Sequence, residues 1–214
     1  MEIKYLGHSS FLIKSKEGKL VTDPFNPSIG LRFPKVEADI VTVSHNHIDH
    51  NAATLVGANP IVIDMPGEFE KNGFRITGFP SFHDKKKGAE RGENILYKME
   101  SDGISLLHIG DIGYVPQDDL VDQIGKVDIL FVPVGGTFTV DAAEAIEIVK
   151  KIEPSIVIPM HFRSKKGKMK NSEDLAPVGE FLKKMGAEST AALPKLVVKK
   201  DELGGEMKVV MLEE

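Results

Sequence analysis

The chain has 214 residues, 41% of them hydrophobic and 28% charged, with a formal net charge of −5. This suits one sizeable core in one domain, residues 1–214, and excludes a disordered chain; the negative balance argues against nucleic-acid binding and against a membrane-surface protein. Cysteine is absent, so disulfide frameworks and thiolate metal sites are out.

The start, Met1-Glu2-Ile3-Lys4-Tyr5-Leu6, lacks the apolar stretch of a signal peptide. No apolar run approaches the roughly 18 residues that cross a bilayer. A cytoplasmic location is the expectation. Strands are predicted at Glu2–Leu6, Ser10–Ser15 and Lys19–Asp23, the last two joined by a turn at Lys16-Glu17-Gly18. Asp23-Pro24-Phe25-Asn26-Pro27 breaks the pattern. The apolar run Asp39–Val43 reads as a buried strand, followed by a helix over Asn51–Val56. Further strands fall at Ile61–Asp64, Phe74–Phe79, Ile95–Met99, Ile104–Ile109, Val127–Val132 and Ser155–Ile158. Helices are predicted over Gln117–Ile124, Asp141–Ile152 and Ser172–Met185; Asp141 and Glu144 have capping-box spacing. Leu196–Lys199 and Met207–Leu212 are expected to close the chain as a hairpin across Gly204-Gly205.

Chemistry concentrates in Ser44-His45-Asn46-His47-Ile48-Asp49-His50. If the extended chain runs on, His45 and His47 point the same way and can grip one cation. Asp49 and His50, where the chain turns, can reach a second. Imidazole and carboxylate suit zinc, with manganese or iron as alternatives. His8, Asp23, His45, His83, Asp111 and His161 each sit at or just past the end of an apolar run, where strand ends converge. Two nearby cations need an anion between them. His45, His47 and His83 are therefore assigned to one ion, Asp49, His50 and His161 to the other, and Asp111 to the bridge, beside a hydroxide whose pKa the metals lower. Asp49 and Asp111 are the candidate catalytic carboxylates. Such a centre favours a small anionic substrate.

Thr22-Asp23-Pro24, His45-x-His47-x-Asp49-His50, His83, Gly110-Asp111 and Pro159-Met160-His161-Phe162 resemble, in order and separation, the motifs of the metallo-β-lactamase superfamily. Leu6-Gly7-His8-Ser9-Ser10-Phe11 and Pro133–Thr139 are similar to its small metal-dependent hydrolase branch, related to ascorbate-6-phosphate lactonase. The resemblance covers about residues 3–165. It implies an α/β fold, a four-layer αββα sandwich with a dinuclear site at one edge, and hydrolysis of esters, lactones, thioesters, lactams or phosphodiesters. The chain departs from the pattern at Ile112, where threonine or serine is common.

Around the ligands several residues carry two readings. His8 either meets substrate or is a satisfied structural histidine. Asp23 either orients a ligating imidazole or is a turn aspartate before proline. His108 is either a core or ligand-supporting histidine inside a strand, the favoured reading, or itself a ligand. Gly135-Gly136-Thr137 either offers backbone N–H groups to substrate, through Gly136 and Thr137, or only permits a tight strand-to-helix passage. Lys85-Lys86-Lys87, and Arg163 with Lys165, Lys166, Lys168 and Lys170, could funnel an anion towards the site or be solvated loops; Arg163 is the prime substrate-binding candidate. Three rivals to small-molecule hydrolysis remain: an RNA or DNA phosphodiesterase, a di-iron redox protein and a metal-binding sensor. Salt-dependent RNA cleavage would mark the first, iron with a visible absorption band the second.

Overall fold

In the computed structural model, which describes residues 1–163 and 174–214, two mixed sheets face each other across the main core. The first contains β1 (Glu2–Gly7), β2 (Ser10–Lys14), β3 (Lys19–Thr22), β4 (Ile40–Thr42), β5 (Ile61–Ile63) and β12 (Leu196–Val197), in the order β12-β1-β2-β3-β4-β5. The second contains β6 (Gly67–Lys71), β7 (Phe74–Phe82), β8 (Glu93–Ser101), β9 (Ile104–His108), β10 (Ile129–Pro133), β11 (Ile156–Met160) and β13 (Lys208–Val209), in the order β13-β11-β10-β9-β8-β7-β6.

Period-two alternation explains how the first sheet divides its side chains. Ile13, Leu20 and Ile40 stand side by side in register and enter the core between the sheets. Leu12, Val21 and Val41, one residue on, face the other way into a second apolar cluster with Val36, Ala38 and Val56. In the second sheet β9, β10 and β11 run parallel and are buried along their whole length. That is the mark of a sheet covered on both faces. Its outer cover is helical: α2 (Ala142–Ile152) packs on β10 and touches α1 (Asp118–Ile124) and α3 (Gly179–Lys184).

The expected layers are present, with one substitution. Among the described residues no α-helix lies outside the first sheet; that layer is the 24–39 loop with 3-10 turns at Pro27–Ile29 and Ala53–Leu55. The helix expected over Asn51–Val56 is only this second turn. Ala52 offers no side-chain cap, and the local N–H groups are used elsewhere: Ala52 N–H donates to Pro24 O at 2.7 Å and Gly57 N–H to Val36 O at 2.9 Å. The last helix is likewise shorter than Ser172–Met185. Pro177 cannot sit inside a helix, so α3 starts at Gly179; Ser172 and Glu173 lie outside the described residues.

The terminal hairpin does not form. Its two arms pair with different sheets, β12 antiparallel to β1 and β13 parallel to β11. Each arm covers an edge that would otherwise be open. β6 is an addition: Gly67–Lys71 holds one apolar residue, Phe69, too few to show an alternation, and its charges suit an edge strand.

The capping box of α2 is as expected. Asp141 Oδ1 accepts from Ala143 N–H at 2.8 Å and Glu144 N–H at 2.9 Å, while Glu144 Oε2 accepts from Asp141 N–H at 3.2 Å. Asp141→Ala is expected to lower stability by about 1 kcal/mol. Urea unfolding followed by circular dichroism measures this; an unchanged midpoint would show that the cap contributes nothing.

Candidate metal centre

Strand ends from both sheets meet at one edge. His8 follows β1, Asp23 follows β3, the His45–His50 turn follows β4, His83 follows β7, Asp111 follows β9 and His161 follows β11. The chain is not extended across His45–His47, contrary to expectation: β4 ends at Thr42 and the chain bends from Ser44, whereas Asp49 and His50 lie in a turn as expected. His50 N–H and Asn51 N–H both donate to His47 O, at 2.9 and 3.0 Å, and this tight turn lifts Asp49 and His50 towards the edge.

Two groups of side chains have ligand atoms all within 4.8 Å of one another: His45, His47 and His83; and His8, Asp49, His50 and His161. Asp111 lies between them. Its Oδ2 is 3.9 Å from His45 Nε2, 3.3 Å from both His50 Nε2 and His83 Nε2, and 3.0 Å from His161 Nε2. The seven candidate ligands are therefore brought together in the two sets expected, with His8 beside the second. A further grouping, Asp23 with His45 and His50, is a hydrogen-bonded hub.

The hydrogen bonds place a proton on Nδ1 of three imidazoles. Ser44 Oγ–H donates to Asp23 Oδ2 at 2.6 Å, so Ser44 Oγ can only accept from His45 Nδ1–H, 2.9 Å away. His50 Nδ1–H donates to Asp23 Oδ2 at 2.9 Å. His83 Nδ1–H donates to Phe138 O at 3.0 Å. All three rings thus use Nδ1–H on the protein and turn Nε2, the atom a cation would take, towards Asp111 Oδ2. His45 Nε2, His50 Nε2 and Asp111 Oδ1 are buried with no hydrogen-bond partner among the described residues. Buried polar atoms without partners are rare in folded proteins. Here they point inward from several elements, and a cation between them would satisfy all of them. The donor set is that of divalent zinc, manganese or iron.

The electrostatics show how strongly this carboxylate draws positive charge. Burial opposes ionisation of Asp111, yet His161 and His50 hold its carboxyl well below the usual range. Burial would push His50 down, but Asp111, Asp49 and Asp23 outweigh it and raise the ring well above its ordinary value. His83 is raised against burial by Asp111. Burial, then repulsion from His50, pushes His45 down to about 2. His8 is pushed down to about 4 by burial and by His161. His8 is therefore neutral and Asp49 ionised near neutral pH, and the 3.1 Å contact is His8 Nε2–H donating to Asp49 Oδ2.

Asp23 is fully buried and holds His50 directly and His45 through Ser44, beyond making a turn. It also accepts Ser44 N–H at 2.8 Å. His108 donates Nε2–H to Ser9 O at 2.8 Å and accepts Gly110 N–H at 3.2 Å, a neutral buried support. Asn94, which carried no signal in the sequence, aims Asp111: its Oδ1 accepts Asp111 N–H at 3.0 Å while its Nδ2 donates to Ile109 O and Ser81 Oγ. Gly110 is required for this approach. Its φ is +54°, and a Cβ there would lie 2.3 Å from Asn94 Oδ1.

A mouth of about 650 Å³ opens above the centre, bordered by His8, Ile29, Asp49, Arg91, Thr137 and Phe138 among others. Thr137 lines it, with its hydroxyl donated to Asp174 O. Gly136 and Arg163 are not among the described residues that line it; Arg163 Nε–H donates to Leu175 O at 2.9 Å. The lysines that follow Arg163 lie outside the described residues. Arg91, which does line the mouth, was not anticipated.

Among the described residues no helix is long and apolar enough to cross a membrane. The profile of the β-lactamase superfamily domain matches residues 2–161. A relative named UPF0173 metal-dependent hydrolase, from Carboxydothermus hydrogenoformans, is 29% identical over 193 residues, covering 77% of this chain and 85% of its own. A solved structure from Thermotoga maritima, provisionally described as a Zn-dependent hydrolase of the metallo-β-lactamase superfamily, is 36% identical and covers 99% of this chain and 97% of its own, with a TM-score of 0.81. Igni18, a metallo hydrolase from Ignicoccus hospitalis, shares the fold at a TM-score of 0.68 and 19% identity, over 92% of this chain and 99% of its own. The chain belongs to the metallo-β-lactamase superfamily and, within it, to the metal-dependent hydrolases.

Proposed function

We propose that the centre holds two divalent cations, zinc first with manganese or iron as alternatives, and hydrolyses a small anionic ester, lactone or phosphodiester. The observation that carries this reading is the set of inward-facing Nε2 atoms around one carboxylate oxygen, in rings whose Nδ1–H is already held by the protein. His45, His47 and His83 would hold one cation, Asp49, His50 and His161 the other, with Asp111 shared. Two such cations supply a water acidified towards neutrality and a Lewis acid for the electrophilic oxygen. The chain's own groups do the rest. Asp23, Ser44 and the Phe138 carbonyl lock three imidazoles in the ligating tautomer. Asp49, half-buried at the mouth, is an ionised proton acceptor steered by the His8 N–H. Ile29, Phe138 and Leu175 wall the mouth with apolar surface and limit water there.

Elemental analysis followed by a substrate screen tests the reading. The expected result is two equivalents of metal per chain, loss of hydrolysis on chelation and recovery with zinc or manganese. A single equivalent at saturation would refute the paired centre. Two equivalents with no turnover of esters, lactones or phosphodiesters would refute the hydrolytic assignment. Turnover confined to RNA, steeply salt-dependent, would reassign the chain as a nuclease.

A further inference from the structure

We propose that Arg91 is the anion-binding residue of this site, held over the mouth by Asp84 below and Phe138 beside it, and that it selects substrates carrying a carboxylate or phosphate. This rests on the anionic-substrate reading above.

Position comes first. Arg91 borders the mouth over Asp111 and also a neighbouring groove lined by His45, His47 and Asn46. It therefore stands where both approaches to the histidines meet. Among the described residues lining the mouth it is the one lysine or arginine, facing Asp49, Asp111 and Asp174.

The guanidinium is also uncommitted. Its carbon lies 3.1 Å from the centre of the Phe138 ring, and among the described residues it has no carboxylate partner and no side-chain hydrogen bond. Its loop neighbours differ: Lys85 pairs with Glu144 and Lys86 with Glu90. A guanidinium stacked on a ring still has its N–H groups directed outward in its own plane, the geometry that takes a carboxylate or phosphate by two parallel bonds.

The surroundings fix this placement. Asp84 Oδ1 accepts Lys86 N–H at 2.7 Å and Gly88 N–H at 3.0 Å. Its Oδ2 accepts Glu90 N–H at 3.0 Å and Arg91 N–H at 2.8 Å. One buried carboxylate thus organises the 84–91 loop from inside and ends on the Arg91 backbone. His83 N–H then donates to Gly92 O at 3.0 Å, so Arg91 is tied to a candidate ligand. On the other side Phe138 has φ +71° and a ring 57% exposed, an unfavourable conformation for a bulky residue and an unfavourable setting for a phenyl group. Both features have a reason at this site. The backbone turns its carbonyl to His83 Nδ1, and the ring supports Arg91.

Binding of phenylphosphonate to the zinc-loaded protein, measured by calorimetry, tests the assignment. Arg91→Ala and Arg91→Gln are expected to weaken binding about 10- to 100-fold with zinc content unchanged, and Arg91→Lys to restore part of it. Lys85→Ala, on the same loop but paired with Glu144, should stay within twofold of the parent. Binding by both Arg91→Ala and Arg91→Gln within twofold of the parent would overturn the proposal, as would an equal loss in Lys85→Ala, which would mean a general field of charge. Kinetics separate it from the hydrolase reading. Arg91→Ala should raise KM for bis(4-nitrophenyl) phosphate and leave that for neutral 4-nitrophenyl acetate unchanged. If neither is turned over, the hydrolytic reading fails, while the calorimetry still decides for or against Arg91.

Discussion

Asp111→Asn is expected to reduce turnover by at least about 10³-fold and to cut bound metal from two equivalents to one or none. The substitution is close to isosteric, and Asn94 still holds the backbone through Asp111 N–H, so the fold should survive. What changes is the atom facing the histidines. Asp111 Oδ2 lies 3.0 to 3.9 Å from four imidazole Nε2 atoms, three of them in rings whose Nδ1–H is held by the protein. A carboxylate there calls for positive charge among those atoms, from a cation or, with none bound, from protons on His50 and His83. An amide can instead rotate its NH2 group into the same place and donate to those Nε2 atoms. The variant should therefore bind metal more weakly while still melting cooperatively with chelator present. Elemental analysis, kcat/KM and a melting curve in chelator check the three effects together. Full activity with two metals bound would remove Asp111 from the bridge.

The candidate centre was legible in the sequence because its candidate ligands are chemically uncommon and sit at strand ends. His45-x-His47-x-Asp49-His50, His83, Asp111 and His161 are visible from residue type and the preceding apolar run. What holds them was harder to see. Asn94 and Ser44 are ordinary polar residues, and only burial and partner geometry distinguish them. Arg163 stood out in the sequence because it follows a candidate ligand in the chain, while nothing marked Arg91. The basic run after His83 stops at Lys87, whereas the arginine at the mouth comes four residues later, returned by a loop wound around Asp84. The terminal segments misled for another reason. Leu196–Val197 and Lys208–Val209 are each two residues long, and their partners are β1 and β11, far away in the chain. A local turn such as Gly204-Gly205 carries no information about those edges. The capping box of α2, by contrast, is a contact within four residues and was legible outright.

Asp23→Ala should cost about 3–5 kcal/mol of stability and weaken metal binding about 10- to 100-fold, although Asp23 is not placed to bind either cation. The carboxylate is fully buried and accepts three hydrogen bonds, from Ser44 N–H at 2.8 Å, Ser44 Oγ–H at 2.6 Å and His50 Nδ1–H at 2.9 Å. Truncation leaves all three donors in a dry interior, and an unsatisfied buried donor costs about 1–3 kcal/mol. Asp23 also has φ +38°, which aspartate tolerates better than alanine. The loss reaches both halves of the centre, because Asp23 orients His50 directly and His45 through the Ser44 hydroxyl. Asp23→Asn separates the two effects. It keeps the volume, but its NH2 cannot accept from His50 Nδ1–H. The His50 proton is then driven to Nε2, where it occupies the lone pair that faces Asp111. Asp23→Asn should thus retain most of the stability lost in Asp23→Ala and still bind less metal. Urea unfolding and zinc titration of both variants distinguish a ligand-orienting carboxylate from a merely structural one. A structural role predicts that metal affinity falls only as far as stability does; an orienting role predicts the asparagine variant to fail at the metal first.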